Sequence, residues 1–226
     1  MAGMSMSLRV VVPPHPLIGH WLTLLRDRHT PPPLFATALA ELGRWLTYEA
    51  LRDWLPQRSV AIETPLAASE GQVIDPSVPL LAVPVLRDGL GLWQGAQGVL
   101  PNASVAHVGL TAVPAGAPPT WYLDTLPASI GERVGVLVFL PVLASGATLL
   151  ALLERLAALG VQGPRLRVIT SLTAAPGLKA VGERFGDLVV YTACIDPELS
   201  EEGLLRPGCG DLSARLYGSG DPACLG

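Results

Sequence analysis

The sequence predicts an α/β protein: a central, mostly parallel sheet flanked by helices. Three observations predict it. Apolar runs at 80–86, 134–139 and 166–172 have the length and β-branched character of strands covered on both faces. Each run is followed by apolar residues at helical spacing, within 92–99, after Thr148 and within 178–185. Small residues occupy every strand-to-helix junction, where an open α/β sheet binds its ligands.

Composition bounds the reading. A length of 226 residues suits a single domain, 1–226, with a full-sized core, and 50% hydrophobic against 15% charged residues implies extensive burial. The 24 Gly and 22 Pro are scattered among apolar runs, which indicates tight loops rather than disorder. A net charge of −4 gives no electrostatic footprint for nucleic acid. Lys179 is the one lysine, so phosphate chemistry would fall to arginine, backbone or metal. Cys194, Cys209 and Cys224 have no metal-ligand spacing, and an odd number without an export signal points to reduced thiols in a cytoplasm.

Along the chain, 10–16 is an extended entry, 18–28 a helix whose Arg26 and Arg28 could meet an anion but read as solvated charges, and Thr30 with three prolines opens a second helix over 34–55. Its buried stripe is Leu39, Leu42, Leu46 and Leu51. Residues 60–65 read as a strand and 72–76 as a short strand or loop. The strand 80–86 breaks at Arg87-Asp88-Gly89-Leu90-Gly91, and 104–110 reads as a third central strand. A Pro/Gly/Ala tract at 111–119 returns through a strand at 120–123, and 188–191 is the last strand.

The pivotal stretch is 134–155. It carries no charge from Val134 to Leu153, long enough to span a membrane, but Pro141 and the Ser145-Gly146 pair break it and its first half is strand-like. Ala144-Ser145-Gly146-Ala147-Thr148 then lies between strand and helix, where backbone N–H groups face an anion.

The run 140–148, Leu-Pro-Val-Leu-Ala-Ser-Gly-Ala-Thr, resembles the phosphoribosyl-pyrophosphate (PRPP) loop of uracil phosphoribosyltransferases, Asp-Pro-Met-Leu-Ala-Thr-Gly-Gly-Ser. Further motifs agree over 15–218. His15-Pro16-Leu17 and Leu46-Thr47-Tyr48-Glu49-Ala50 resemble the amino-terminal helical region, here 8–55. Arg87 with its glycines resembles Arg-Ala-Gly-Leu-Gly. The run 191–196 and the run 207–211 resemble Tyr-Thr-Ala-Ser-Ile-Asp and Pro-Gly-Leu-Gly-Asp of the base-binding region, here 191–218.

The resemblance implies the type I phosphoribosyltransferase fold with a hood at 111–128. It implies PRPP contacts from Arg87, Ala144, Ser145, Gly146, Ala147, Thr148 and Asp211, and a uracil pocket from Tyr191, Leu205, Gly210, Asp211 and Leu212. Asp211 would be the catalytic residue. The implied reaction joins uracil and PRPP, with Mg²⁺ accompanying PRPP, to give UMP and diphosphate in a homodimer or larger homo-oligomer.

Four departures from the family pattern stand in the chain, and the first three oppose that reaction. Leu140 stands where the family has the aspartate that accepts from the ribose hydroxyls. Ala112 stands for the hood arginine, Asp88 for a small neutral residue, and Ser213-Ala214 for a Gly-Asp pair. They imply a pseudoenzyme kept as a binding or assembly subunit, with a protein partner, as the alternative to a working pyrimidine-salvage enzyme. A protein-held metal, a nucleic-acid partner and a membrane span are not expected.

Overall fold

A computed structural model describes residues 8–100, 102–111 and 118–218. The elements are β1 (Arg9–Val11), α1 (Pro16–Arg26), α2 (Pro32–Leu51), β2 (Gln57–Glu63), β3 (Ala68–Ile74), β4 (Leu80–Leu86), α3 (Gly89–Ala96), β5 (Ser104–Val105), β6 (Val108–Leu110), β7 (Trp121–Asp124), β8 (Gly135–Phe139), β9 (Val142–Leu143), α4 (Ala147–Ala158), β10 (Leu166–Ala174), α5 (Ala175–Arg184), β11 (Val189–Asp196), β12 (Glu198–Leu199), β13 (Leu205–Arg206) and α6 (Leu212–Tyr217). The main sheet runs β1-β11-β10-β8-β4-β6-β7, with β5 beside β4 and β9 beside β10. Its pairings are parallel except for β6 with β7.

The uncharged stretch at 135–140 follows from where β8 lies. Strand side chains alternate between faces. Leu137 and Phe139 pack with α1, α2 and α3, whereas Val136, Val138 and Leu140 pack with α4 and α5. Both faces are covered, so apolar side chains fill both register positions. The run 134–153 divides into β8, β9 and α4, and no helix among the described residues is long and apolar enough to cross a membrane.

Several boundaries differ from those expected. α1 begins at Pro16, because the His15 imidazole Nδ1 accepts from the Leu17 N–H at 3.2 Å and caps it. α2 stops at Leu51 instead of 55; Asp53 turns away to pair with Arg167 at 3.0 Å. α3, α4 and α5 each start within the junction of small residues rather than after it. β11 continues to Asp196, pairing Leu172, Thr173 and Ala174 of β10.

The expected strand 104–110 is two strands. At His107 the backbone exchanges bonds with Thr125, His107 N–H donating to Thr125 Oγ1 at 2.8 Å and Thr125 N–H to His107 O at 3.1 Å. The register on β4 is the same on both sides of the break, β5 meeting Leu81 and Ala82 and β6 meeting Val85 and Leu86. The segments 60–65 and 72–76 are parts of an antiparallel hairpin, β2 with β3, outside the main sheet. Neither of its faces is buried, so no alternating pattern marks its register.

α2 and α3 meet backbone to backbone. A Cβ added at Gly43 would stand 2.1 Å from Leu92 O, and one at Gly95 would stand 1.6 Å from Ala40 O. Gly95→Ala must therefore force the helices apart. We expect it to cost about 1–3 kcal/mol, read as a lowered midpoint in urea unfolding at unchanged slope.

Candidate functional site

The carboxyl ends of β4, β8 and β11 feed three loops that form the site. The first follows β8. Pro141 O accepts from Ser171 N–H at 2.9 Å, Ser171 Oγ at 2.6 Å and Thr170 Oγ1 at 3.1 Å, which anchors the entry to the loop. Gly146 has φ +90°, left-handed backbone that favours glycine. Gly177 of α5 lies against the loop so closely that a Cβ there would stand 2.1 Å from Ala144 O. The first-turn N–H groups of α4 have no partners inside the helix. Among the described residues, a long bond from Ala147 N–H to Ser145 Oγ at 3.4 Å engages one of them. The start of α4 thus leaves N–H groups unused by the helix itself, a geometry that suits an anion.

Leu140 lies at the mouth of this loop. It is buried, 9% exposed, within the apolar cluster under α4, and its N–H donates to Ile169 O at 3.0 Å. It offers no polar atom beyond its backbone.

The second loop follows β4. A Cβ on Gly89 would stand 2.5 Å from Phe139 O, so this junction abuts the end of β8 and neighbours the first loop. The Leu86–Arg87 peptide is cis. Tyr122 donates to Leu86 O at 3.3 Å and Tyr217 donates to Arg87 O at 3.2 Å. The exposed Arg87 guanidinium lies 5.2 Å from the centre of the Tyr217 ring. Asp88, the residue before α3, is partly buried, with its carboxylate oxygens 2.8 and 2.7 Å from Ser213 Oγ. Burial pushes the Asp88 carboxyl above the usual carboxylate range; the Ser213 bond and Arg87 oppose this, and Asp211 adds to it.

The third loop, 205–211, is held by Asp196 at the end of β11. Asp196, 1% exposed, accepts from Arg26 Nη2 at 2.5 Å, Arg26 Nη1 at 3.2 Å and Gly208 N–H at 2.9 Å. Arg215 of α6 donates to Leu25 O, Cys209 O and Asp27 O at 2.7, 3.0 and 2.6 Å, with its guanidinium over Phe35. A crevice of about 470 Å³ opens between the end of α1 and this loop. Arg26 was expected to be solvated; its bidentate bond to Asp196 makes it an internal anchor. Ser213, read only as a departure from the family pattern, and Tyr217 were not anticipated as site residues, because their partners are more than a hundred positions away.

The expected residues separate into groups. Arg87, Gly210 and Asp211 are exposed near the loops, and Asp211 caps α6 through a bond from Ala214 N–H at 3.0 Å. Leu205 and Leu212 are buried in the core beneath α2. Tyr191 is also a core residue: its hydroxyl accepts from Arg167 Nη1 at 2.9 Å, and it does not line the crevice. Ala112 lies outside the described residues, as does most of the Pro/Gly/Ala tract of the hood.

The carboxylates do not fit a protein-held Mg²⁺. Among the described residues no group of three or more His, Cys, Asp and Glu side chains converges, and Asp88 and Asp211 are engaged by Ser213 and the α6 N-terminus. Such an ion would come with a phosphorylated substrate.

With this geometry in place, comparisons with known proteins are specific. The family described as Uracil phosphoribosyltransferase matches residues 12–219. A Synechococcus elongatus protein of that name is 46% identical over 216 residues, 96% of this chain and 100% of its own length. A chloroplastic one from Arabidopsis thaliana is 40% identical, over 95% of this chain and 73% of its own. The solved structure of the AQ2163 protein from Aquifex aeolicus superposes with a TM-score of 0.83 at 30% identity, over 93% of this chain and 98% of that one.

Burial in the third loop also sets its thiol chemistry. Cys209 is raised from an ordinary 9.0 to about 11, chiefly by burial, with Arg215 and Arg26 opposing. Its contribution to stability is therefore full below pH 9 and is lost as pH rises through about 11. We expect iodoacetamide at pH 8 to label the partly exposed Cys194 well before Cys209, read by peptide mass spectrometry, with Cys209 reacting only on unfolding.

Proposed function

The chain belongs to the uracil phosphoribosyltransferase family, and from that premise we propose that it is a member in which phosphoribosyl transfer has been lost, serving as a binding or assembly subunit. The observation that carries this reading is Leu140, buried in the apolar cluster at the mouth of the PRPP loop.

Phosphoribosyl transfer depends on holding the diphosphate and the ribose while positive charge develops on the sugar, so its catalysis is chiefly positioning and electrostatics. An aspartate at position 140 would accept from both ribose hydroxyls. Each such charge-assisted bond is worth roughly 1.5–3 kcal/mol, so losing two removes about 10²–10⁴-fold in PRPP affinity. Ala112 removes a cation from the diphosphate side, and Asp88 adds an anion there. Both changes oppose binding of a phosphorylated sugar.

The remaining parts support retained ligand recognition. The open N-terminus of α4 with Gly146 would receive a phosphate through backbone N–H groups. Arg87 would face a diphosphate. The 207–211 loop, with glycines at Gly208 and Gly210, would let the backbone read a flat pyrimidine edge, while Asp211 faces the sugar side. These same features favour a second reading, an active enzyme converting uracil and PRPP to UMP and diphosphate. In that case Mg²⁺ would enter bound to PRPP and screen its diphosphate.

Self-association is part of the proposal. The β2–β3 hairpin stands outside the main sheet and exposes Ile62 and Val73 on one face and, at its tip, Leu66 at 97%. A second copy of the chain is the occupant we assign to that apolar surface.

Titration calorimetry with PRPP and Mg²⁺, together with a UMP-formation assay, separates the readings. The pseudoenzyme gives no product and no binding below millimolar; micromolar binding with UMP formation would replace it with the catalytic reading. Leu140→Asp combined with Ala112→Arg is expected to raise PRPP affinity at least about tenfold. Unchanged affinity would show that these two losses are not what closes the site.

A further inference from the structure

We propose that Asp88, fixed by Ser213, is the charge filter of the β4–α3 junction, a resident carboxylate that weakens binding of the diphosphate end of a phosphorylated sugar. This specificity role rests on the family reading of the junction, and it concerns a contact made by two of this chain's own departures together.

The geometry supports it in three ways. Asp88 stands immediately before the N-terminus of α3 and next to Arg87, so its negative charge lies where an incoming anion would seek the helix end and the guanidinium. Both carboxylate oxygens lie within hydrogen-bond reach of Ser213 Oγ, so the partly buried group is held from α6, and its own backbone carbonyl accepts from Gly91 N–H at 3.0 Å. Ser213 belongs to α6, which also supplies Tyr217 to Arg87 O and to the Arg87 guanidinium. One short helix therefore grips two consecutive residues of the junction, and the Asp88 contact is the charged half of that grip.

A fixed like charge at a few ångströms from a diphosphate opposes its binding by roughly 10- to 1,000-fold. Of the groups facing Asp88, Arg87 offsets part of its charge, Asp211 adds a second negative charge, and Ser213 and Tyr217 are neutral at ordinary pH. The raised Asp88 carboxyl adds a pH dependence with a definite sign. As pH falls and Asp88 takes up a proton, the filter weakens, and the advantage of a variant lacking the charge shrinks.

The probe is inorganic diphosphate, measured by titration calorimetry on the full chain, with and without Mg²⁺. Asp88→Asn removes the charge and keeps the shape; Asp88→Ala removes both; Asp88→Glu keeps the charge. Asp88→Asn and Asp88→Ala are expected to bind diphosphate at least about tenfold tighter than the unmodified chain at pH 8, and Asp88→Glu to stay weak. The ratio of Asp88→Asn to unmodified affinity is expected to shrink with added salt and with falling pH, changes that loss of packing would not produce. The proposal is overturned if Asp88→Asn binds no tighter, if only Asp88→Ala gains, or if the unmodified chain binds through Mg²⁺ and Asp88→Asn loses that binding. UMP formation by the unmodified chain would reject the pseudoenzyme reading and leave the diphosphate comparison standing, so the two failures are distinguishable.

Discussion

The site depends on the carboxylate of Asp196. It is buried at the end of β11 and receives two bonds from Arg26 and one from the Gly208 N–H. Three elements far apart in the chain meet on it: the last turn of α1, the sheet, and the 205–211 loop. Burying a carboxylate is costly unless it is paired and hydrogen-bonded, and breaking such a pair costs more than it contributed. The constraint is therefore on geometry: the loop keeps its place because Asp196 has no other way to be satisfied. Arg215 repeats the arrangement with the opposite sign, a guanidinium whose acceptors are carbonyls of α1, the segment after it and the loop. Cys209, between these anchors, is buried with them.

This knitting explains what was legible in the sequence. The sheet could be read from 80–86, 134–139 and 166–172, because strands covered on both faces leave a continuous apolar record. The junction at Ala144-Ser145-Gly146 could be read because a left-handed turn and a close neighbour, Gly177, restrict its residues to small ones. The β2–β3 hairpin could be read only as fragments, since with no buried face its residues are unconstrained. The break at His107 was invisible, because its cause, the bond exchange with Thr125, lies 18 positions on, just after β7. Arg26 was misread for the same reason: a charged residue near a helix end resembles a solvated one until its partner, 170 positions later, is placed.

Tyr191 shows a further limit. It falls in a motif that matches the family's base-binding run, yet its ring lies in the core under α2 and its hydroxyl belongs to Arg167, which also pairs with Asp53 and stacks on Trp54. A motif contains both the residues that touch a ligand and those that hold the ones that do. Sequence order cannot separate them, and alternation on β11 can: Tyr191 and Ala193 point to the α2 face, with Leu205 and Leu212 packed in the same cluster.

The departures from the family pattern differ in their consequences for the fold and for the chemistry. Leu140 continues the even-numbered row of β8 with Val136 and Val138, so a leucine there extends a cluster that already exists. An aspartate at the same place needs a ligand or water to satisfy its oxygens. Asp88 and Ser213 likewise satisfy one another. Leu140 thus stands in place of a group that would require a bound partner, and Asp88 with Ser213 adds a polar pair satisfied within the chain. Protein interiors and junctions settle toward such self-satisfied arrangements when no ligand has to be held, because a group shaped for a ligand carries a desolvation cost in its absence. The anchors Asp196, Arg26 and Arg215 are satisfied from within in either case, so a scaffold of this kind can keep its loops in place while the residues facing the ligand change.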